Sequence, residues 1–169
     1  MKIYNLIFVI LIESLIFLTC AQSTDNGFII IKESYSKIYY EDIKNEKYKG
    51  STKDELGNPL SLYGIEFNER DELTILEKSI FNSEERKQIK KYGRRSAYAI
   101  FKIEAVSGNI VCVSFIFKNI DESFKIDIEK LAKYREEIKR NIKYNYLSFE
   151  GGGDVVSGYI RQVMPVFID

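Results

Sequence analysis

The stretch that decides the fold is AYAIFKIEAVSGNIVCVSFIFK, residues 97–118. Its first half alternates small or apolar residues with Lys102 and Glu104, which is the period-two pattern of a strand with one buried face. The turn sequence Ser107-Gly108-Asn109 follows, and a second apolar strand occupies residues 110–118. The pattern therefore predicts a β-hairpin. Its predicted core-facing residues are Ala97, Ala99, Phe101, Ile103 and Ala105 on the first strand and Val111, Val113, Phe115 and Phe117 on the second.

An amphipathic helix and a final strand follow the hairpin. Asp127 precedes a stretch with apolar residues at helical spacing, and its side chain can cap the first turn of a helix that runs to about Asn141. Residues 159–168 alternate as a strand, and Pro165 lacks a ladder donor, so that part is expected at an edge or without a partner there. The order of hairpin, helix and strand predicts an α+β fold, an antiparallel sheet with the helix packed on one face.

The residues before the hairpin carry weaker signals. Residues 28–32 and 35–43 are strand-like, 45–58 are typical of a loop, and 62–68 and 73–76 are predicted as two further strands. Asn82 or Ser83 is expected to cap a short helix that ends at Gly93. Because no repeat or Pro-rich linker divides residues 22–169, we predict a single domain there.

The first residues have the pattern of a secretion signal. Lys2 precedes an apolar stretch from residue 3 to residue 18, and small residues stand at positions 19, 21 and 23. We therefore expect residues 1–21 to be cleaved off and the protein to be exported, to the periplasm, the outer membrane or the medium. A cut before Thr24 fits the same rule. Lipidation of Cys20, which follows the small Thr19, is a third alternative and would anchor the protein to a membrane.

The composition restricts the available chemistry. The 169 residues include no His and no Trp, so a Ser-His-Asp triad, a Cys-His pair and a His-based zinc site are excluded. Lys plus Arg and Asp plus Glu each number 25, so no overall charge favours nucleic acid. Cys112 lies among β-branched residues and is expected to be a small buried side chain. We predict a non-enzymatic protein with no catalytic residue, cofactor or metal.

Tyrosines are concentrated before residue 64. Exposed tyrosine is favoured in protein and carbohydrate recognition because it offers apolar area and a hydroxyl at low entropy cost. The alternative is that these tyrosines fill a half-buried sheet in place of Trp and Phe. The residues predicted to form a binding surface are Tyr35, Tyr39, Tyr40 and Tyr63.

Residues 97–168 resemble the C-terminal domain of TonB, the periplasmic protein that couples energy to outer-membrane receptors. The matching segments are residues 101–103, residues 107–110, the helix from Asp127, Gly158 and residues 164–167. The Trp-x-Pro segment of that family is replaced by Tyr144-Asn145-Tyr146-Leu147, and its anchor and Pro-rich arm are not matched, so the energy-coupling role is not implied. An export signal followed by one Tyr-rich α+β domain also resembles small exported proteins of unknown function from Bacteroides-type bacteria.

These observations predict an adaptor of the cell envelope. It would bind another envelope or exported protein through a sheet edge, which needs no special side chains, or through the tyrosine-bearing surface. The alternatives are a protein that binds a small ligand or a glycan and, less favoured, a carboxylate-based hydrolase. Contact with a membrane is expected only through a lipidated Cys20, and none with nucleic acid.

Overall fold

A computed structural model of the protein describes residues 21–34, 36–60, 62–65, 69–144, 147–149 and 155–168. The strands are β1 (Ala21–Asp25), β2 (Phe28–Ser34), β3 (Lys37–Asp42), β4 (Leu62–Ile65), β5 (Ala97–Glu104), β6 (Ile110–Lys118), β7 (Leu147–Phe149) and β8 (Tyr159–Pro165). The α-helices are α1 (Glu69–Ile80), α2 (Ser83–Lys90) and α3 (Ile128–Asn141), and a short 3-10 helix spans Ile43–Lys47.

Six strands form one antiparallel sheet in the order β1-β2-β3-β6-β5-β8. The sheet has two parts, the meander β1–β3 and the group β6-β5-β8, which join where β3 pairs with β6 from Lys37↔Lys118 to Tyr40↔Phe115. Strands β4 and β7 pair separately. The predicted α+β class and the hairpin-helix-strand unit are confirmed, since β5, β6, α3 and β8 follow in that order and β8 pairs with β5.

One face of the sheet is covered by helices and forms the core. The side chains of β5 are buried in strict alternation, as the period of a strand with one covered face requires. Tyr134 of α3 stacks on Phe115 of β6, with ring centroids 5.7 Å apart. The Tyr134 hydroxyl donates to the carbonyl of Leu73 in α1 at 3.1 Å. The tyrosine thereby joins both helices to the sheet.

Helix α3 begins where the sequence predicts. The Asp127 carboxylate accepts from the backbone N–H of Lys130 at 3.1 Å and caps the first turn. Arg135 lies over the ring of Phe28, 4.4 Å from its centroid, and donates to the carbonyl of Gly27 at 2.8 Å. This arginine fixes the helix against the β1–β2 turn.

The predicted strand at 73–76 is wrong, because these residues belong to α1. Leu73 and Ile80 are buried and Leu76 packs against the same core, whereas Ile75 is 65% exposed. The buried positions recur at i, i+3 and i+7, which is helical spacing. The strand predicted over 62–68 is observed as β4, and residues 66–68 lie outside the described residues.

The predicted inward position of Val111 is also wrong. Lys102 pairs with Cys112, but the next residue, Ile103, pairs with Ile110, so β6 contains one extra residue at Val111. This bulge turns Ile110 into the core and leaves Val111 half-buried.

Strand β8 lies at an end of the sheet. The carbonyl of Gly158 accepts from the N–H of Ala105, just after β5, and the N–H of Val166 donates to the carbonyl of Ala97 in β5. The N–H of Tyr159 points the other way, to the carbonyl of Gly50. Because bonding direction alternates along a strand, Pro165 shares the outward orientation of Tyr159 and its missing donor costs no bond to β5. The prediction that Pro165 lies at an edge is confirmed.

Candidate binding groove on the outer face

The outer face is the side of the sheet opposite the helices. Ile100 and Lys102 point to it, since their neighbours Ala99 and Phe101 face the core. The register aligns Ile31 with Tyr39 and places Ile100 beside Ser114. Arg161 of β8 pairs with Lys102 and faces the same way. Five strands from both parts of the sheet therefore contribute side chains to this face.

A groove of about 450 Å³ lies on the outer face. Its volume is within the range of about 300–1,000 Å³ typical of small-ligand sites. Apolar and aromatic side chains alternate with charged ones along it. The lining residues are Ile31, Glu33, Tyr39, Glu41, Asn45, Ile100, Lys102, Ser114 and Arg161.

The 3-10 helix forms one end of the groove. Asp42 starts it, with its carboxylate accepting from the N–H of Lys44 at 2.9 Å. The Lys102 ammonium donates to the carbonyls of Asn45 and Tyr48 at 2.9 and 2.8 Å. The Asn45 side chain in turn donates to the Glu41 carboxylate. Lys102, from the centre of the sheet, therefore holds this end of the groove in place.

Replacing Lys102 by methionine is expected to release the 3-10 helix without unfolding the sheet. Methionine keeps most of the side-chain length but cannot donate to the two carbonyls, so backbone amides of residues 45–49 should exchange with solvent about tenfold faster. Hydrogen exchange followed by mass spectrometry measures this. The matched control is Lys118→Met. The Lys118 ammonium lies over the ring of Tyr98, 4.9 Å from its centroid, whereas that of Lys102 contacts the two backbone carbonyls. Equal exchange in both variants would contradict the role of Lys102.

The charged side chains of the groove come from different strands according to their sign. Glu33 and Glu41 come from β2 and β3, whereas Lys102 and Arg161 come from β5 and β8. Glu33 already forms an ion pair with Lys37 at 2.7 Å. Arg161 is exposed and forms no ion pair within the described part of the chain.

The predicted tyrosine surface is only partly observed. Tyr39 lines the groove. Tyr40 is 5% exposed and packs edge-on against Phe28 and Phe117, and burial raises its pKa to about 12. Its predicted surface position is wrong, because consecutive residues of a strand point to opposite faces. Tyr35, the side chain of Tyr63 and Cys20 lie outside the described residues.

Cys112 is buried, as predicted. It is 1% exposed, and burial, with a contribution from Asp42, raises the pKa of the thiol to about 12. The thiol is therefore neutral at physiological pH and is not a nucleophile.

The described residues contain neither a metal-binding cluster nor a membrane-spanning helix. No group of three or more Cys, Asp or Glu side chains in the described ranges is placed to hold a metal ion. None of the helices within those ranges combines the length and the apolar character needed to cross a membrane.

Sequence reasoning found Tyr39 but missed the residues around it. Ile31, Ile100, Lys102 and Arg161 belong to three strands, and only the order of strands in the sheet brings them together. The one available signal was alternation: the positions between the predicted core residues of β5 had to face the other side.

Comparisons with known proteins show the fold. No protein-family model and no curated protein matches the chain. The chain is similar to the crystal structure of a DUF5043 family protein from Bacteroides uniformis ATCC 8492, with a TM-score of 0.58 and 11% sequence identity, over 86% of this chain and 89% of that one. The predicted resemblance to TonB is not shown. At this identity the similarity concerns the fold alone, and it agrees with the predicted likeness to Bacteroides-type proteins of unknown function.

Proposed function

We propose that the protein is a non-enzymatic binding protein of the cell envelope or exterior, and that the groove on the outer face is its ligand site. The observation that carries the proposal is the groove itself, about 450 Å³ in volume, where Tyr39 and Ile100 adjoin charged side chains from four strands. An apolar lining with a few placed polar groups is the usual composition of a ligand site.

The carboxylates of the groove favour binding over hydrolysis. A glycosidase needs two carboxyl groups that face each other across the bound sugar. Glu33 and Glu41 come from the same side of the groove, and each is engaged, by Lys37 and by Asn45. The lining residues of β5 and β8 carry cationic groups instead. The groove therefore offers recognition groups rather than an acid and a nucleophile.

The absence of tryptophan from the sequence allows a direct test. Tyr39→Trp introduces a single indole into the groove, and Ile75→Trp places one on the exposed side of α1 as the matched control. We expect members of a panel of short peptides and oligosaccharides to change the emission of the Tyr39→Trp variant only. Ile100→Trp, which fills the groove, should abolish the binding measured by calorimetry. Responses from both reporters, or from neither, would refute the ligand site.

A second candidate function is strand addition to β8. Residues 50–53 bond to the start of the outer edge of β8, up to Tyr159. The backbone of Arg161 and Val163 also points outward, and within the described ranges no strand pairs with β8 there. An added segment would gain backbone hydrogen bonds there. A partner that binds in this way would leave the Tyr39→Trp emission unchanged, which separates the two candidates.

A further inference from the structure

The spacing of charges in the groove defines a ligand length. Glu41 lies on β3, and the cationic groups Lys102 and Arg161 lie on β5 and β8, which are two and three strands away. Neighbouring strands are about 4.8 Å apart. The strands that carry Glu41 and Arg161 are therefore about 14 Å apart, with β6 and β5 between them.

Not every charged group is equally available to a ligand. Glu33 is engaged by Lys37, whereas Glu41 accepts one amide hydrogen bond from Asn45, and a carboxylate has room for further donors. Lys102 uses two of its three N–H bonds on backbone carbonyls. Arg161 is exposed and has no ion pair in the described ranges. Its guanidinium can therefore donate two parallel hydrogen bonds to a carboxylate. Glu41 and Arg161 are the principal charges.

We propose that the groove binds a short oligopeptide with free termini. Its α-ammonium lies toward Glu41, its α-carboxylate toward Arg161, and its apolar side chains against Tyr39 and Ile100. An extended chain advances about 3.3–3.6 Å per residue, so about four residues match the separation of the two strands. A single amino acid is too short to reach both sides. This inference rests on the proposed function of the groove as a ligand site.

The test uses the tetrapeptide Ala-Leu-Leu-Ala and the intact protein, with affinity measured by isothermal titration calorimetry. The peptide with free termini should bind, and N-acetylation or C-amidation should each weaken binding about tenfold, because each removes one charge-assisted contact. Arg161→Gln should weaken binding of the free peptide about tenfold and leave binding of the amidated peptide unchanged. Glu41→Gln should likewise weaken binding of the free peptide about tenfold and leave binding of the acetylated peptide unchanged. Arg140→Gln, an exposed arginine of α3, is the matched control.

The outcomes separate this inference from the proposed function. Equal affinity for the free peptide and the doubly blocked peptide would overturn the pairing of termini with charges. No binding of the free peptide, combined with an oligosaccharide response of the Tyr39→Trp variant, would overturn the peptide and leave the ligand site standing. If no peptide or oligosaccharide changes the emission of the Tyr39→Trp variant, both the peptide inference and the ligand site are overturned.

Discussion

Replacing Tyr134 by alanine is expected to lower the free energy of unfolding by about 3–5 kcal/mol. The side chain is 0% exposed. Its ring stacks on Phe115 and meets Phe81 and Phe167 edge-on, with centroids 5.9 and 6.1 Å away. Truncation would leave a cavity where α1, α3 and β6 meet, and each lost aromatic pair adds about 0.5–1.5 kcal/mol to the cost of lost burial. Urea denaturation followed by circular dichroism measures the change.

Tyr134→Phe is the matched control. It keeps the ring and removes only the hydroxyl that donates to the Leu73 carbonyl, so a cost of about 1 kcal/mol is expected. A much larger loss of unfolding free energy in Tyr134→Ala than in Tyr134→Phe would show that packing of the ring provides most of the stabilisation. Equal costs would instead attribute it to the hydrogen bond, contrary to the contacts of the ring.

Replacing Gly108 by alanine is expected to destabilise the protein by several kcal/mol. Gly108 has a φ of +71°, and an added Cβ would lie 1.9 Å from the carbonyl oxygen of Tyr144. That oxygen belongs to the backbone and cannot rotate away, and the N–H of Tyr144 donates to the carbonyl of Gly108 at 2.9 Å. The left-handed conformation costs about 1–2 kcal/mol, and displacing the packed segment adds about 1–3 kcal/mol.

Gly57→Ala separates these two contributions. Gly57 has a similar φ of +83°, but nothing lies within 4 Å of an added Cβ. Only the conformational cost of about 1–2 kcal/mol is therefore expected. Thermal and urea unfolding of both variants would give the cost of the close approach as their difference. Equal destabilisation would mean that the segment after α3 moves aside freely.

Local signals in the sequence predicted much of the fold. Asn82 caps α2 in a capping box with Glu85, and Asp127 caps α3, because both depend on residues within one helical turn. Thr74 and Ile75, which are β-branched, favoured a strand at 73–76, but the helical spacing of Leu73 and Ile80 and their burial against the core determine the observed helix. The bulge at Val111 has no local signal, since it depends on pairing with β5.

The binding groove could not be predicted in the same way. Tyr39 and Tyr40 are chemically equivalent in the sequence, and only the strand register decides that one lines the groove and the other fills the core. Ile31 and Arg161 are 130 positions apart in the numbering and meet through the strand order. The composition predicted a binding surface of several tyrosines. The groove is instead lined by Tyr39 together with aliphatic and charged side chains.

Under the proposed function, the junction between β3 and β6 would link folding to occupancy of the groove. The backbone N–H of Asp42 donates to the hydroxyl of Ser114 there, at 3.0 Å. The two residues are 72 positions apart, and closing a chain loop of that length costs about 4 kcal/mol in entropy. A ligand that contacts Tyr39 on one side and Ile100 on the other bridges both parts of the sheet. At a hundred times its Kd such a ligand stabilises the folded chain by about 2.7 kcal/mol. For the proposed ligand, we therefore expect the lifetime of the protein against proteolysis to rise with the concentration of the ligand.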